Sequence, residues 1–337
     1  MRKVLAIILT LVAFQSKGQD PQFSQYYAAP LYLNPAFAGT SVGHRFILNY
    51  RNQWPNLNNG FVTYAFSYDY NLDHLKSGIG ALVTVDKAGS ANLTSTNFNF
   101  VYSYKVQLAN KWVFTPGLSF GYANRSIDFD KLVFGDQLDF DSDGQVPTTD
   151  QSVNSLGNAN YFDFGAGFLL YSKNFWAGVS TAHINQPNRS LLDEESEVPM
   201  KTSVHAGFRI PLYHGLMKRA RVSSIAPSFI YKTQGEFDQL DVGLHFLYEP
   251  VMIGLWYRGI PVQQNVSDNI SQDAVVIILG MQLKDFEIGY SYDFTVSELG
   301  TISGGAHEVS LQYRFEAMSG GKAKKPDKYI PCPTFTK

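Results

Sequence analysis

Carboxylates at alternate positions are the one arrangement in this sequence that suggests metal chemistry. Asp139, Asp141 and Asp143 are followed by Gly144, and Asp150 falls where the twelfth ligand of a calcium loop would sit. Val146 supplies the apolar eighth residue of such a loop. Hard oxygen ligands at this spacing suit Ca2+. The pattern also departs from a helix-flanked calcium loop. Its twelfth residue is Asp rather than a bidentate Glu, Pro147 offers no side-chain ligand, and no helix is expected on either side. An acidic, solvated loop is the competing reading. Otherwise no cofactor is indicated. No zinc-protease helix and no phosphate loop is present, and no catalytic arrangement stands out, so no enzymatic activity is expected. The sole cysteine, Cys332, lies between Pro331 and Pro333 in a Lys-rich tail, which suits a docking element and precludes an internal disulfide.

The elements that would carry any site are strands. From Arg45 to Phe315 the sequence repeats segments of about ten residues in which apolar and polar side chains alternate. In Phe61–Tyr70, Val62, Tyr64, Phe66, Tyr68 and Tyr70 share one face, and Thr63, Ala65, Ser67 and Asp69 share the other. Asn97–Tyr104, Trp112–Tyr122, Leu240–Tyr248 and His307–Phe315 repeat the pattern. The count is about fourteen strands. Charged residues are only 17% of the 337, aromatics reach 15%, and the formal net charge is −2. Nothing in this balance points to nucleic acid.

A soluble sandwich or barrel would bury the apolar face; an outer-membrane barrel would turn it to lipid. Three features favour the membrane. Met1 to Gly18 reads as a signal peptide, with Arg2 and Lys3 before the apolar stretch Val4 to Phe14. Aromatic residues crowd strand ends, as at Tyr102 and Tyr104. Short connections alternate with longer polar ones, matching short periplasmic turns and longer outer loops. The expectation is an all-β transmembrane barrel of about fourteen antiparallel strands, both ends periplasmic. Residues 1–18 form the leader, 19–40 a periplasmic N-terminal segment, 41–315 the barrel and 316–337 a periplasmic tail.

The segment 19–40 fits neither leader nor strands. Phe23, Tyr26, Tyr27 and Phe37 make it apolar, Asn34 sits among them, and Pro21, Pro30 and Pro35 deny it regular structure. Such a segment must either plug the lumen or present its aromatics to a periplasmic partner. On the polar faces, Arg45, Arg51, Arg209, Arg258 and Arg314 accompany Asp69, Asp163, Asp241, Glu287, Asp293 and Glu308. Their near balance of sign favours a filled interior of paired charges.

Several stretches together resemble the PorP/SprF family of type IX secretion system membrane proteins from the Bacteroidetes. They are Asp20-Pro21-Gln22-Phe23-Ser24-Gln25-Tyr26, Leu33-Asn34-Pro35-Ala36-Phe37-Ala38-Gly39-Thr40, Tyr50-Arg51-Asn52-Gln53-Trp54-Pro55, His183-Ile184-Asn185-Gln186-Pro187, Trp256-Tyr257-Arg258 and Gly305-Ala306-His307-Glu308-Val309-Ser310-Leu311, with a Cys-Pro near the C terminus. The resemblance spans nearly all of the chain after the leader. It implies an outer-membrane barrel in contact with lipid, either working with periplasmic or outer-membrane components of secretion and gliding, or supporting the export or surface retention of a secreted adhesin-like protein. Arg51, Trp54, His183, His307 and Glu308 are placed at the outer rim as candidate contacts for that partner. For Arg51 and Trp54 the plainer reading is a lumen ion pair and an interfacial anchor. The competing function is a channel or transporter for a small solute, apolar ones included.

Overall fold

The computed structural model describes residues 19–57, 60–89, 91–109, 111–128, 137, 157–191, 195–213, 223–264, 270–296 and 300–315. The strands are β1 (His44–Gln53), β2 (Phe61–Leu72), β3 (Ser77–Ala88), β4 (Leu93–Tyr104), β5 (Val106–Ala109), β6 (Trp112–Ser126), β7 (Ala159–Tyr171) and β8 (Phe175–Ala182). They continue as β9 (Lys201–Phe208), β10 (Ile210–Tyr213), β11 (Ser223–Gln234), β12 (Phe237–Tyr248), β13 (Val251–Gln264), β14 (Ile270–Leu283), β15 (Phe286–Thr295) and β16 (Ala306–Phe315). All sixteen join one sheet. β5 extends β4 beyond Lys105 along the same neighbour, β6, and β10 extends β9 beyond Arg209 along β11. Sixteen segments less these two continuations make fourteen staves.

Every stave is antiparallel to its neighbours. The sheet closes where β1 pairs with β16, in register from His44↔Phe315 to Gln53↔Ala306. Closure leaves no strand edge to hydrogen-bond with water, which a lipid-embedded sheet requires. The expected all-β barrel of fourteen antiparallel strands is the observed architecture.

The period-two pattern sorts the faces. On β4, Phe98, Phe100, Tyr102 and Tyr104 are between 42% and 50% exposed, while Val101 and Ser103 are buried. On β1, Leu48 and Tyr50 face out, whereas Arg45, Asn49 and Arg51 are buried. The outer surface is thus an apolar, aromatic belt, which only lipid can solvate.

The interior is filled by the chain's own N-terminal segment. Two single 3-10 turns, Tyr26–Ala28 and Pro35–Phe37, flank one turn of α-helix, Pro30–Leu33. Proline at the start of the latter two turns costs no hydrogen bond there, and the Asn34 side chain accepts from Ala36 N, capping the last turn. Phe23, Tyr26, Tyr27, Leu31, Ala36 and Phe37 form a core with inward residues such as Trp176, Met252 and Trp256. Sequence reasoning puts this segment at the short-turn end, in the lumen or across the rim. The structure runs it along the lumen. Gly39 lies at the short-turn end, against Asp69 and Lys105, and Asp20 lies at the long-loop end, against His183 and Lys201.

Candidate functional site

The site is the lumen, built by the N-terminal segment and the walls that hold it. At its centre is Ser24. Its Oγ accepts from Arg51 Nη1 at 2.9 Å and from Arg258 Nη2 at 2.8 Å, and donates to Asp293 Oδ2 at 2.7 Å. The backbone N–H groups of Ser24 and Gln25 donate to the two oxygens of Glu308 at 2.7 and 3.0 Å. Arg51 pairs with Asp293 at 2.8 Å and Glu308 at 3.2 Å. Arg258 pairs with Asp293 at 2.9 Å and Asp241 at 3.0 Å, and Lys232 also reaches Asp241. These charges come from β1, β11, β12, β13, β15 and β16, so one serine seats the segment directly on four strands, β1, β13, β15 and β16, and through Arg258 on the Asp241–Lys232 pair of β12 and β11.

The rest of the segment is held by polar groups that satisfy its irregular backbone, as a segment buried at membrane depth requires. Asn34 Nδ2 donates to the carbonyls of Phe168 and Val179. Ser180 Oγ donates to Leu33 O at 2.6 Å, and Ser103 Oγ to Ala38 O at 2.8 Å. Inward glycines supply room. A Cβ on Gly78 would fall on the Ala38 carbonyl, one on Gly117 on the Pro35–Ala36 backbone, and one on Gly167 on the Asn34 side chain. No side chain but hydrogen fits where these backbones approach.

The long-loop end holds a latch. Asp20 accepts from His183 Nε2 at 2.8 Å and pairs with Lys201 at 3.3 Å, and His183 Nδ1 meets Asp163 at 2.9 Å. Lys201 also lies 4.7 Å over the Tyr32 ring. Burial alone would raise the Asp20 carboxyl, but Lys201 and His183 outweigh it and hold it well below the usual carboxylate range. Burial alone would lower His183; hydrogen bonds to Asp163 and Asp20 outweigh it and push it up to about 9.

Above the segment lies a cavity of about 760 Å³. The segment lines it through Gln19–Gln22 and Leu31–Leu33, and most of the remaining lining comes from the long-loop halves of the strands. Trp54 and His183 line it, both with left-handed backbone, at φ 59° and 56°. For non-glycine residues this conformation costs about 1–2 kcal/mol.

The sequence-based site residues divide accordingly. Phe23, Tyr26, Tyr27, Asn34 and Phe37 are buried in the lumen and are not presented at a mouth. Arg51 and Glu308 are buried in the ion network, and His183 in the latch. Their polar groups are thus engaged by the chain's own segment, although Arg51 and His183 also border the cavity. His307 and Glu308 part company: alternation turns His307 outward, where Nδ1 meets the Tyr290 hydroxyl at 2.8 Å and the ring packs on Tyr292. Trp54 borders the cavity and packs edge-on against Phe61 at 5.4 Å, with its backbone N–H donating to Gly305 O. Of the expected lumen charges, Arg45–Asp69 and Arg314–Glu287 pair, whereas Arg209 sits at the β9–β10 break on Ser224. Asp139, Asp141, Asp143, Asp150 and Cys332 lie outside the described residues. Sequence reasoning missed Asp20, Ser24, Lys201 and Lys232 as lumen partners. It also missed the seating glycines, although glycine at inward positions of Ser77–Ala88, Trp112–Ser126 and Ala159–Tyr171 was visible as a signal.

A closed fourteen-stave barrel with an apolar belt and a charge-paired, filled lumen defines an outer-membrane β-barrel. Within that class the chain belongs to the PorP/SprF family, described as "Type IX secretion system membrane protein PorP/SprF", whose model matches residues 15–313. No curated protein compared with the chain matches it. Among solved structures it is similar to the toluene transporter TbuX of Ralstonia pickettii, at 11% identity and TM-score 0.46 over 86% of this chain and 94% of that one. It is also similar to the toluene transporter TodX of P. putida, at 12% identity and TM-score 0.44 over 84% and 93%. The Acinetobacter baumannii outer membrane protein Omp33 gives 7% identity and TM-score 0.41 over 81% and 99%. Likenesses this distant carry nothing about cargo.

Proposed function

We propose that this barrel is an outer-membrane component of type IX secretion that supports the export or surface retention of a secreted adhesin-like protein. Family membership supplies the secretion context. The observation that carries the reading is the seated N-terminal segment. Its Ser24 node, bonded to Arg51, Arg258, Asp293 and Glu308, makes the lumen a filled structural support. Displacing the segment would strand several buried charges at once, and removing even one partner of a buried ion pair costs about 3–5 kcal/mol. Such a barrel suits holding a partner at its rim better than conducting a solute. By the loop-length rule the long-loop end faces outward and the short-turn end meets the periplasmic machinery.

The test is a comparison of surface and medium proteomes with and without the gene. The expected result is that one secreted protein leaves the surface or ceases to be exported. An unchanged secreted proteome with unchanged gliding would overturn the proposal. The cavity at the long-loop end favours one second reading, a solute channel. Steady single-channel conductance of the purified wild-type barrel would favour that reading; a silent barrel favours the first.

A further inference from the structure

We infer that the cavity above the N-terminal segment is a binding site for a short extended stretch of polypeptide from the exported partner. The inference rests on the function proposed above and gives it a location. At about 760 Å³ the cavity is of ligand-pocket size, against a usual ~300–1,000 Å³. The chain's own segment forms part of its lining.

The wall chemistry selects the class of occupant. Thr84, Ser95, Asn97, Asn99, Ser119 and Thr181 line it from β3, β4, β6 and β8. These are neutral groups that both donate and accept, as the alternating N–H and C=O of an extended backbone require. They recognise backbone irrespective of sequence. The charged groups of the lining are engaged within the chain: Asp20 and Asp163 with His183 and Lys201, Arg51 with Asp293 and Glu308, Asp86 with Thr63, and Arg125 with the Arg189 carbonyl. A glycan would instead need open aromatic faces. Tyr32 has Lys201 over its ring and Phe23 against it at 5.1 Å, and Trp54 is packed on Phe61. Two of the aromatic faces in the lining are therefore taken, which weighs toward a polypeptide over a sugar chain, with Tyr161 and Phe237 also in the lining.

The test uses the full chain in living cells, with the photocrosslinking residue benzoylphenylalanine placed at Asn97 in the wall or at Phe98 on the lipid face. Light should yield an adduct from position 97 and none from 98, and peptide mapping should assign it to one continuous stretch of one exported protein. Ser95→Trp, which fills the cavity, should abolish the adduct and lower that protein on the surface about tenfold, equivalent to about 1.4 kcal/mol of binding. Phe98→Leu, on the lipid face, should leave both intact. Heat-modifiable migration in gels verifies that each variant still folds, and Thr84→Met offers a milder filling should Ser95→Trp not. Adducts only to residues of this chain, or only to polysaccharide, would overturn the inference. So would a missing adduct at 97 while gene deletion still strips a protein from the surface, leaving the proposed function standing. If deletion changes no exported protein, the function and the inference fall together.

Discussion

At the residue scale the lumen is a set of buried charges, each held by several partners. Arg258 joins Asp241 and Asp293 and also donates to Ser24. Arg258→Ala would leave two carboxylates buried beside an empty space, so a loss of about 3–5 kcal/mol is expected in urea unfolding of the barrel in liposomes. His183 makes the latch sensitive to pH. Its folded pKa of about 9 lies above the ordinary 6.5, so its contribution is fully present below about pH 6.5 and is lost as pH rises through 9. A spin label at Gln22 should accordingly become more mobile between those values, and His183→Gln should remove the pH dependence. Asp20 acts in the opposite sense, being held low, but its window lies at far more acid pH. Arg51 and Glu308 were legible in the sequence as lumen charges because alternation put them on the polar face. Their joint partner, Ser24, was not legible, because nothing in an irregular segment states which strand it will meet.

At the scale of elements, strands were the readable part. Alternation survives in β1, β4 and β16 because a half-buried sheet face imposes a period of two. Boundaries were less readable. β14 runs from Ile270 to Leu283, beyond its apolar core, because its backbone pairing with β13 continues to Ile270. The N-terminal segment was legible as an oddity, too apolar for water and too rich in proline for a strand. Its seat depends on glycines such as Gly78 and Gly117. Gly78→Ala is expected to unseat it and produce channel openings in planar bilayers, while Gly157→Ala, with open space around it, should leave the barrel silent. Deleting Phe23–Phe37 should open a steady conductance. A silent deletion barrel with wild-type stability would mean that the segment is not what fills the lumen.

For the whole molecule, the pairing of β1 with β16 closes the barrel, and the segment threaded through it joins distant strands into one unit. The segment should therefore be among the last parts to exchange amide hydrogens, with Ser24 and Gln25 protected as strongly as β16. Early exchange there, measured by mass spectrometry on the folded barrel, would show that the seat is loose. By itself the sequence determined that this is a lipid-facing antiparallel barrel of about fourteen strands with a polar interior, because each strand's two faces are written into its own alternation. It also determined kinship, through motifs spread along the chain. Only the tertiary structure decided what the motifs do. Arg51 and Glu308 lie on different staves, His183 lies just past the end of β8, and Asp20 and Ser24 lie on none. Their meeting depends on closure and on the path of the threaded segment, which no local pattern encodes. The same reason explains why His307 and Glu308, adjacent in sequence, serve opposite faces, one in the aromatic belt and one in the network around Ser24.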